Sequence, residues 1–292
     1  MDSGLAAEGR TAVVTGATSG LGLAIATGLV ERGWQVVAHG PDSSSAREAA
    51  EAVGFAQTGA VHPESADFAD LDQVRALAAR IRTRYGRVDA LVNNAAVIHD
   101  QWTPTQDGVD RTFAVNFLGP YLLTRLLLPA VLARPGGRIL IVASEAHRGT
   151  ELDLERAHRP QDYERFASYQ RSKLAALMFA YELARRTEAA RVSVMSADPG
   201  MMRTGLFRPR NLAERIAMPV INLKARPPEH AASPLVDVLD RDDVSHLHGA
   251  YVRRGLPAES SSASRDLTSA SLLWDWSAQQ CGLATSMGGE DH

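Results

Sequence analysis

Cysteine is nearly missing from this sequence of 292 residues. The one thiol, Cys281, rules out an intrachain disulfide and suits a reducing, cytoplasmic setting. The nine histidines are scattered, and none stands in a Cys/His cluster with ligand spacing, so no metal site is expected; His147 and His158 read as solvated loop residues. Dense runs of Lys or Arg are lacking too. With a net charge of −3, this argues against a nucleic-acid partner. No uninterrupted apolar run reaches the ~20 residues of a membrane span, because the greasiest stretch, 118–132, is broken by Arg125 and Pro129. That stretch reads as a buried helix. The opening MDSGLAAEGR carries Asp2 and Glu8 and lacks the apolar segment of a secretory signal. No repeat and no linker before about residue 200 divides the chain, so residues 1–292 read as one domain. At 45% apolar, a chain of this length can bury a core without disulfides or metals.

What the chain does have is alternation. Short β-branched runs at 12–15, 35–39, 90–93, 138–143, 192–196 and 250–253 read as strands, with a weaker one at 59–62. Amphipathic segments at 21–32, 46–53, 71–85, 108–133 and 169–187 read as helices between them. Strand alternating with helix implies βαβ units. The expected fold is α/β: a Rossmann-type, doubly wound parallel sheet with helices on both faces. Residues 151–165, 201–228 and the serine-rich 257–271 read as loops.

The first strand runs into TGATSGLG, residues 15–22, with glycines at 16, 20 and 22. Glycine costs backbone entropy and packs nothing, so three of them imply that something must approach the backbone closely. Gly16 suits a tight turn out of the strand, Gly20 suits the approach of a phosphate or ribose, and Gly22 suits close packing of the next helix on the sheet. The helix start then offers free N–H groups and partial positive charge to a pyrophosphate, and Thr18 and Ser19 add hydroxyls.

At residue 169 the sequence reads YQRSK, which puts Tyr169 and Lys173 on one face of a helix. A phenol ionises near pH 10, and an adjacent ammonium would pull it toward the working range. Ser144 closes the run RILIVAS at a strand end, and Asn93-Asn94-Ala95-Ala96 closes another. With the G-x-x-x-G-x-G spacing, these motifs resemble the short-chain dehydrogenases/reductases, and the likeness runs from about Gly9 to Leu283. Asn116 in VNFLG, Asp67, and Asp198-Pro199-Gly200 followed by Thr204 match that family's pattern in order and spacing. The polar insert 151–165 and the helix continuation LAALMFAYELARR resemble its retinol dehydrogenase-like branch.

The resemblance implies an oxidoreductase that interconverts an alcohol and a ketone or aldehyde. In that reading Tyr169 is the acid/base, Ser144 bonds the reacting oxygen, Lys173 binds the nicotinamide ribose and lowers the tyrosine pKa, and Asn116 anchors a proton-relaying water. Cofactor contacts are implied for Gly16, Thr18, Ser19, Gly20, Leu21, Gly22, Asp67, Phe68, Asn94, Ala95, Tyr169, Lys173, Pro199, Gly200 and Thr204. The cofactor is NADP or NAD. Residues 38–45, AHGPDSSS, place neither an acid at 40 nor an arginine at 41, and the missing acid favours NADP. A bulky or lipophilic substrate, a homodimer or homotetramer, and a substrate-covering segment at about 201–228 are further implications. Two rivals stay open: a cofactor-binding regulator of the same fold, and a C=C reductase.

Overall fold

The computed structural model describes residues 9–54, 60–158, 163–202, 206 and 225–287. In the first βαβ unit, strand β1 (Thr11–Val14) is wholly buried, helix α1 (Gly20–Glu31) crosses over, and β2 (Gln35–Gly40) returns parallel to β1. The helix stops because Gly33, at φ +81°, carries the backbone through the left-handed region; the Gly33 and Trp34 N–H groups then close on Val30 and Leu29. Helix α2 (Ser43–Gly54) and β3 (Val61–Ser65) follow. Helix α3 (Leu71–Tyr85) is capped by Asp70, which accepts from the Asp72 and Gln73 N–H groups. β4 (Ala90–Asn93) leads to a 21-residue helical run, α4 (Arg111–Val131).

β5 (Gly137–Val142), α5 (Arg165–Arg186) and β6 (Val192–Asp198) complete the second half. Helix α6 (Pro228–Asp240), β7 (Tyr251–Arg253), β8 (Leu256–Pro257) and helix α7 (Leu267–Gln280) end the described chain. The sheet order is β3-β2-β1-β4-β5-β6-β7-β8, parallel except for the β7–β8 pair. This is the expected doubly wound α/β fold. Its strand order reverses between β1 and β4, so a crevice opens at their carboxyl ends. One face of the sheet buries its apolar residues against α3, α4, α5 and α7, and the other against α1 and α6.

Several sequence expectations shift. Helix α5 starts at Arg165 rather than 169, because Glu164 accepts from the Phe166 and Ala167 N–H groups and caps it there. Helices α6 and α7 lie where the sequence reads as loop or carries no assignment, and a 3₁₀ turn occupies Glu155–His158 within the expected loop 151–165. The expected helix 108–133 contains a π-helical turn, Ala114–Leu118. The full run Arg111–Val131 is long and apolar enough to cross a membrane, which the shorter stretch 118–132 is not. However, 83% of its most apolar window is buried inside this fold.

α7 supplies a large wedge. Trp274 is buried against Tyr121 and Phe179, its indole N–H donates to Thr285 O at 2.8 Å, and the Arg125 and Arg186 guanidiniums sit over its ring at 4.6 and 4.5 Å. It seals the outer side of α4 and α5.

Candidate active site

At the crevice lies a cavity of about 840 Å³. Its walls include the glycine loop, Asp67 and Phe68 after β3, residues 94–100 after β4, Ser144 after β5, Tyr169 and Lys173 on α5, and Asp198–Gly200 after β6.

The glycine loop is built as its composition demands. Gly16 sits at φ +64°, and a Cβ there would lie 2.8 Å from Ala95 Cα. At Gly22 a Cβ would come within 2.2 Å of Gly16 O and 2.4 Å of Asn94 Nδ2. Gly22 is thus needed for close approach of the helix start to the turn and to Asn94, just past the end of β4. Asn94 fixes that turn, donating to Thr15 O at 2.9 Å and Gly16 O at 3.1 Å. Thr15 Oγ accepts from the Asn94 and Ala95 N–H groups and donates to Val92 O, so β1 and β4 are tied together at the cavity floor.

Ser19 is the N-cap of α1, yet its side chain makes no capping bond. The first N–H groups of a 12-residue helix therefore face the cavity without a side-chain acceptor. Thr18, Ser19, Gly20 and Leu21 line the same cavity. These features fit a dinucleotide: a backbone cradle closed to any Cβ, an uncapped helix start, and a long cavity leading to the polar groups on α5.

His39 lies beneath the loop. Its Nδ1 accepts from Gly16 N–H at 3.3 Å, its Nε2 donates to Ala66 O at 3.0 Å, and its ring stacks on Phe68. Burial pushes its pKa down to about 4; the bond to Ala66 opposes this and Arg80 adds to it. Asp67 Oδ1 accepts from Ala69 N–H, and its other oxygen pairs with Arg111. Asp42 caps the start of α2 by accepting from the Ser44 and Ser45 N–H groups.

The reacting end contains Ser144, Tyr169 and Lys173. Tyr169 and Lys173 are buried on the same helix face, with Lys173 Nζ 5.7 Å from the tyrosine ring centre. Burial pushes the Tyr169 phenol up to about 12, with the Ser144 hydroxyl lowering it and the Asp198 charge raising it. Burial pushes Lys173 down to about 8, against the pull of Asp198. The expected lowering of the tyrosine pKa by Lys173 is not the arrangement found. The ammonium donates to Val142 O at 3.0 Å, and desolvation is the leading influence on the phenol.

The Asn116 side chain is engaged with protein partners. Its Oδ1 accepts from Val97 N–H at 2.7 Å, and its Nδ2 donates to Val97 O and Ser172 Oγ. It clamps the loop after β4 to the π turn, a helical distortion common at functional sites. A pocket of about 10 Å³, room for roughly one water, lies between Asn116, Asn93 and Lys173.

His147 is buried rather than solvated, which reverses the sequence expectation. It donates through Nδ1 to Ser144 O at 2.6 Å and accepts at Nε2 from Ser261 N–H at 3.1 Å, so the proton resides on Nδ1. No local signal marks it, because its partner Ser261 is supplied by the far end of the chain. The side chain of His158 and all of Thr204 lie outside the described residues, as does most of the segment 201–228. Pro199 and Gly200 line the cavity as expected.

Comparisons with known proteins agree with this geometry. A family model described as short chain dehydrogenase matches residues 10–215. Mouse retinol dehydrogenase 14 is 34% identical over 291 residues, covering 94% of this chain and 87% of the relative. A Beutenbergia cavernae protein assigned as an NAD(P)-dependent gluconate 5-dehydrogenase, with bound NADP at low occupancy, superposes with a TM-score of 0.67. It is 30% identical, and the match covers 84% of this chain and 95% of that one. A 3-ketoacyl-(acyl-carrier-protein) reductase from Brucella melitensis in complex with NADH gives a TM-score of 0.65 at 26% identity, covering 85% and 99%. With the glycine cradle, the uncapped α1 and the Ser144–Tyr169–Lys173 group in one cavity, the chain belongs to the short-chain dehydrogenase family.

Proposed function

We propose that the protein is an NAD(P)(H)-dependent oxidoreductase that interconverts an alcohol and a ketone or aldehyde, with Tyr169 as acid/base. The observation that carries the reading is that one cavity joins the glycine cradle to Ser144, Tyr169 and Lys173. When bound, the nicotinamide cofactor supplies or accepts the hydride. Tyr169 gives its phenol proton to the carbonyl oxygen in reduction, or takes the alcohol proton in oxidation. The Ser144 hydroxyl donates to the same oxygen and stabilises the charge that develops there. Lys173 would provide a buried positive charge and an ammonium donor for the ribose hydroxyls, in place of its bond to Val142 O. The small pocket beside Asn116 gives a proton path room for a water.

Several finer features belong to the same proposal. NADP is favoured over NAD, because a Cβ at Gly40 would lie 2.9 Å from Ala46 N and from Thr18 Cγ2, leaving no room for an acid there. Asp42 Oδ1 is engaged in capping α2. A lipophilic substrate fits the apolar lining residues Val97, Ile98, Met202 and Leu206, and the name of the mouse relative points the same way. A segment at about 201–228 covers the substrate, copies of the chain associate as a homodimer or homotetramer, and the protein works in the cytoplasm.

Tyr169→Phe tests the central reading. The variant binds cofactor like the wild type in a fluorescence titration, and loses on the order of a hundredfold or more in turnover over a panel of alcohols and carbonyls. Turnover within a few-fold of wild type refutes the assignment.

A further inference from the structure

Asp198 ends β6 and lines the cavity beside Ser144, Tyr169 and Lys173. Its side chain is only 4% exposed. Oδ1 accepts from Gly200 N–H at 3.0 Å, while Oδ2 accepts no hydrogen bond and has Arg253 Nε at 3.5 Å. That guanidinium is 43% exposed and is shared with Glu145, which also engages Arg148 and Tyr251. Asp198 is therefore a buried carboxylate with a partial counter-ion on its solvent side and the cavity on the other. Such a charge is costly unless something positive completes it.

The reaction geometry says what that is. The oxygen of the substrate must lie between Tyr169 and Ser144, so the carbon that exchanges hydride is one bond away. The ring that exchanges it must come within about 3.5 Å of that carbon. A nicotinamide that meets that carbon would share this cavity with Asp198 and Gly200. The oxidised ring carries a positive charge and the reduced ring is neutral.

We propose that Asp198 discriminates between the redox states of the cofactor, stabilising the oxidised nicotinamide and leaving the reduced one unassisted. The inference rests on the oxidoreductase reading above. The charged and titratable groups around Asp198 are Arg253 and Tyr251 from β7, Glu145, His147 and Arg148 from the turn after β5, and Tyr169 and Lys173 from α5. Lys173 and Arg253 temper the effect, and Glu145 reinforces it. For a unit charge in partly buried surroundings, tempered in this way, the preference amounts to about tenfold. Bound in this way, the oxidised product of a carbonyl reduction leaves slowly, and the equilibrium on the protein tilts toward alcohol.

The test measures dissociation constants of the full-length protein for NADP+ and NADPH, and for NAD+ and NADH, by fluorescence titration. Asp198→Asn lowers the ratio of reduced-form to oxidised-form dissociation constants about tenfold. Arg253→Gln, which removes the solvent-side counter-ion, raises the same ratio. A folded Asp198→Asn that binds both forms with an unchanged ratio overturns the inference. If that variant does not fold, Arg253→Gln decides, and a ratio that fails to rise overturns it. A wild-type protein that binds neither form refutes the underlying oxidoreductase reading instead.

Discussion

Acidification should loosen this protein through one buried imidazole, His39. Its ring is neutral in the folded state because both nitrogens are committed, Nδ1 as acceptor from Gly16 N–H and Nε2–H as donor to Ala66 O. A proton on Nδ1 would face the Gly16 N–H and would be buried without solvent. Burial is the leading reason that its pKa falls from 6.5 to about 4. Because the folded value is depressed, the stabilisation is fully present above about pH 6.5. It falls by about 1.4 kcal/mol per pH unit as the solution is acidified, and is exhausted near pH 4. Between about pH 7 and pH 4.5 the loss from this group is about 2.4 kcal/mol. Urea unfolding followed by tryptophan fluorescence measures it, with His39→Gln as reference. Glutamine keeps a donor and an acceptor but does not titrate, and subtracting the two curves cancels every other group. The wild type should lose about 2.4 kcal/mol more than the variant over that range. Parallel curves would refute the reasoning, since His39 would then take up its proton without losing its bonds to Gly16 and Ala66.

Three further outcomes follow from contacts. Gly22→Ala forces its new methyl against Gly16 O, so the turn must move; cofactor titration should show affinity weakened roughly tenfold or more, and unchanged affinity would mean the turn does not hold the cofactor. Pro41→Arg should raise the NADP-to-NAD ratio of kcat/KM by adding a charge-assisted bond to the 2′-phosphate, and steady-state kinetics with both cofactors reads it directly. Trp274→Ala removes the wedge between α4 and α5, and urea unfolding should show a loss of about 3–5 kcal/mol; a loss below about 1 kcal/mol would mean that α7 contributes little.

The sequence by itself determined the parts that rest on local chemistry. Alternating β-branched runs and amphipathic segments specify the βαβ order through Val192–Asp198, because each period is written in neighbouring residues. TGATSGLG announces a backbone approached by a ligand, since glycine at three close positions has few other uses. YQRSK places two groups on one helix face by helical geometry alone, and the fold then sets them in the cavity with Ser144.

Tertiary structure decided whatever depends on a distant partner. Helix α6 is hidden in a stretch that starts with two prolines and contains Pro234, and it is held by packing against α1. Helix α7 follows a serine-rich stretch and is held by Tyr121 and Phe179, far away in sequence. The same holds for individual side chains. Asn116 is spent on Val97 and Ser172, Lys173 on Val142 O, and His147 on Ser144 and Ser261. Burial then sets the direction of the Tyr169 and Lys173 pKa values, since loss of water is the leading cause of both shifts. A motif names which groups are brought together. The dielectric around them, and the hydrogen bonds they have already made, come from chain segments that the motif does not contain.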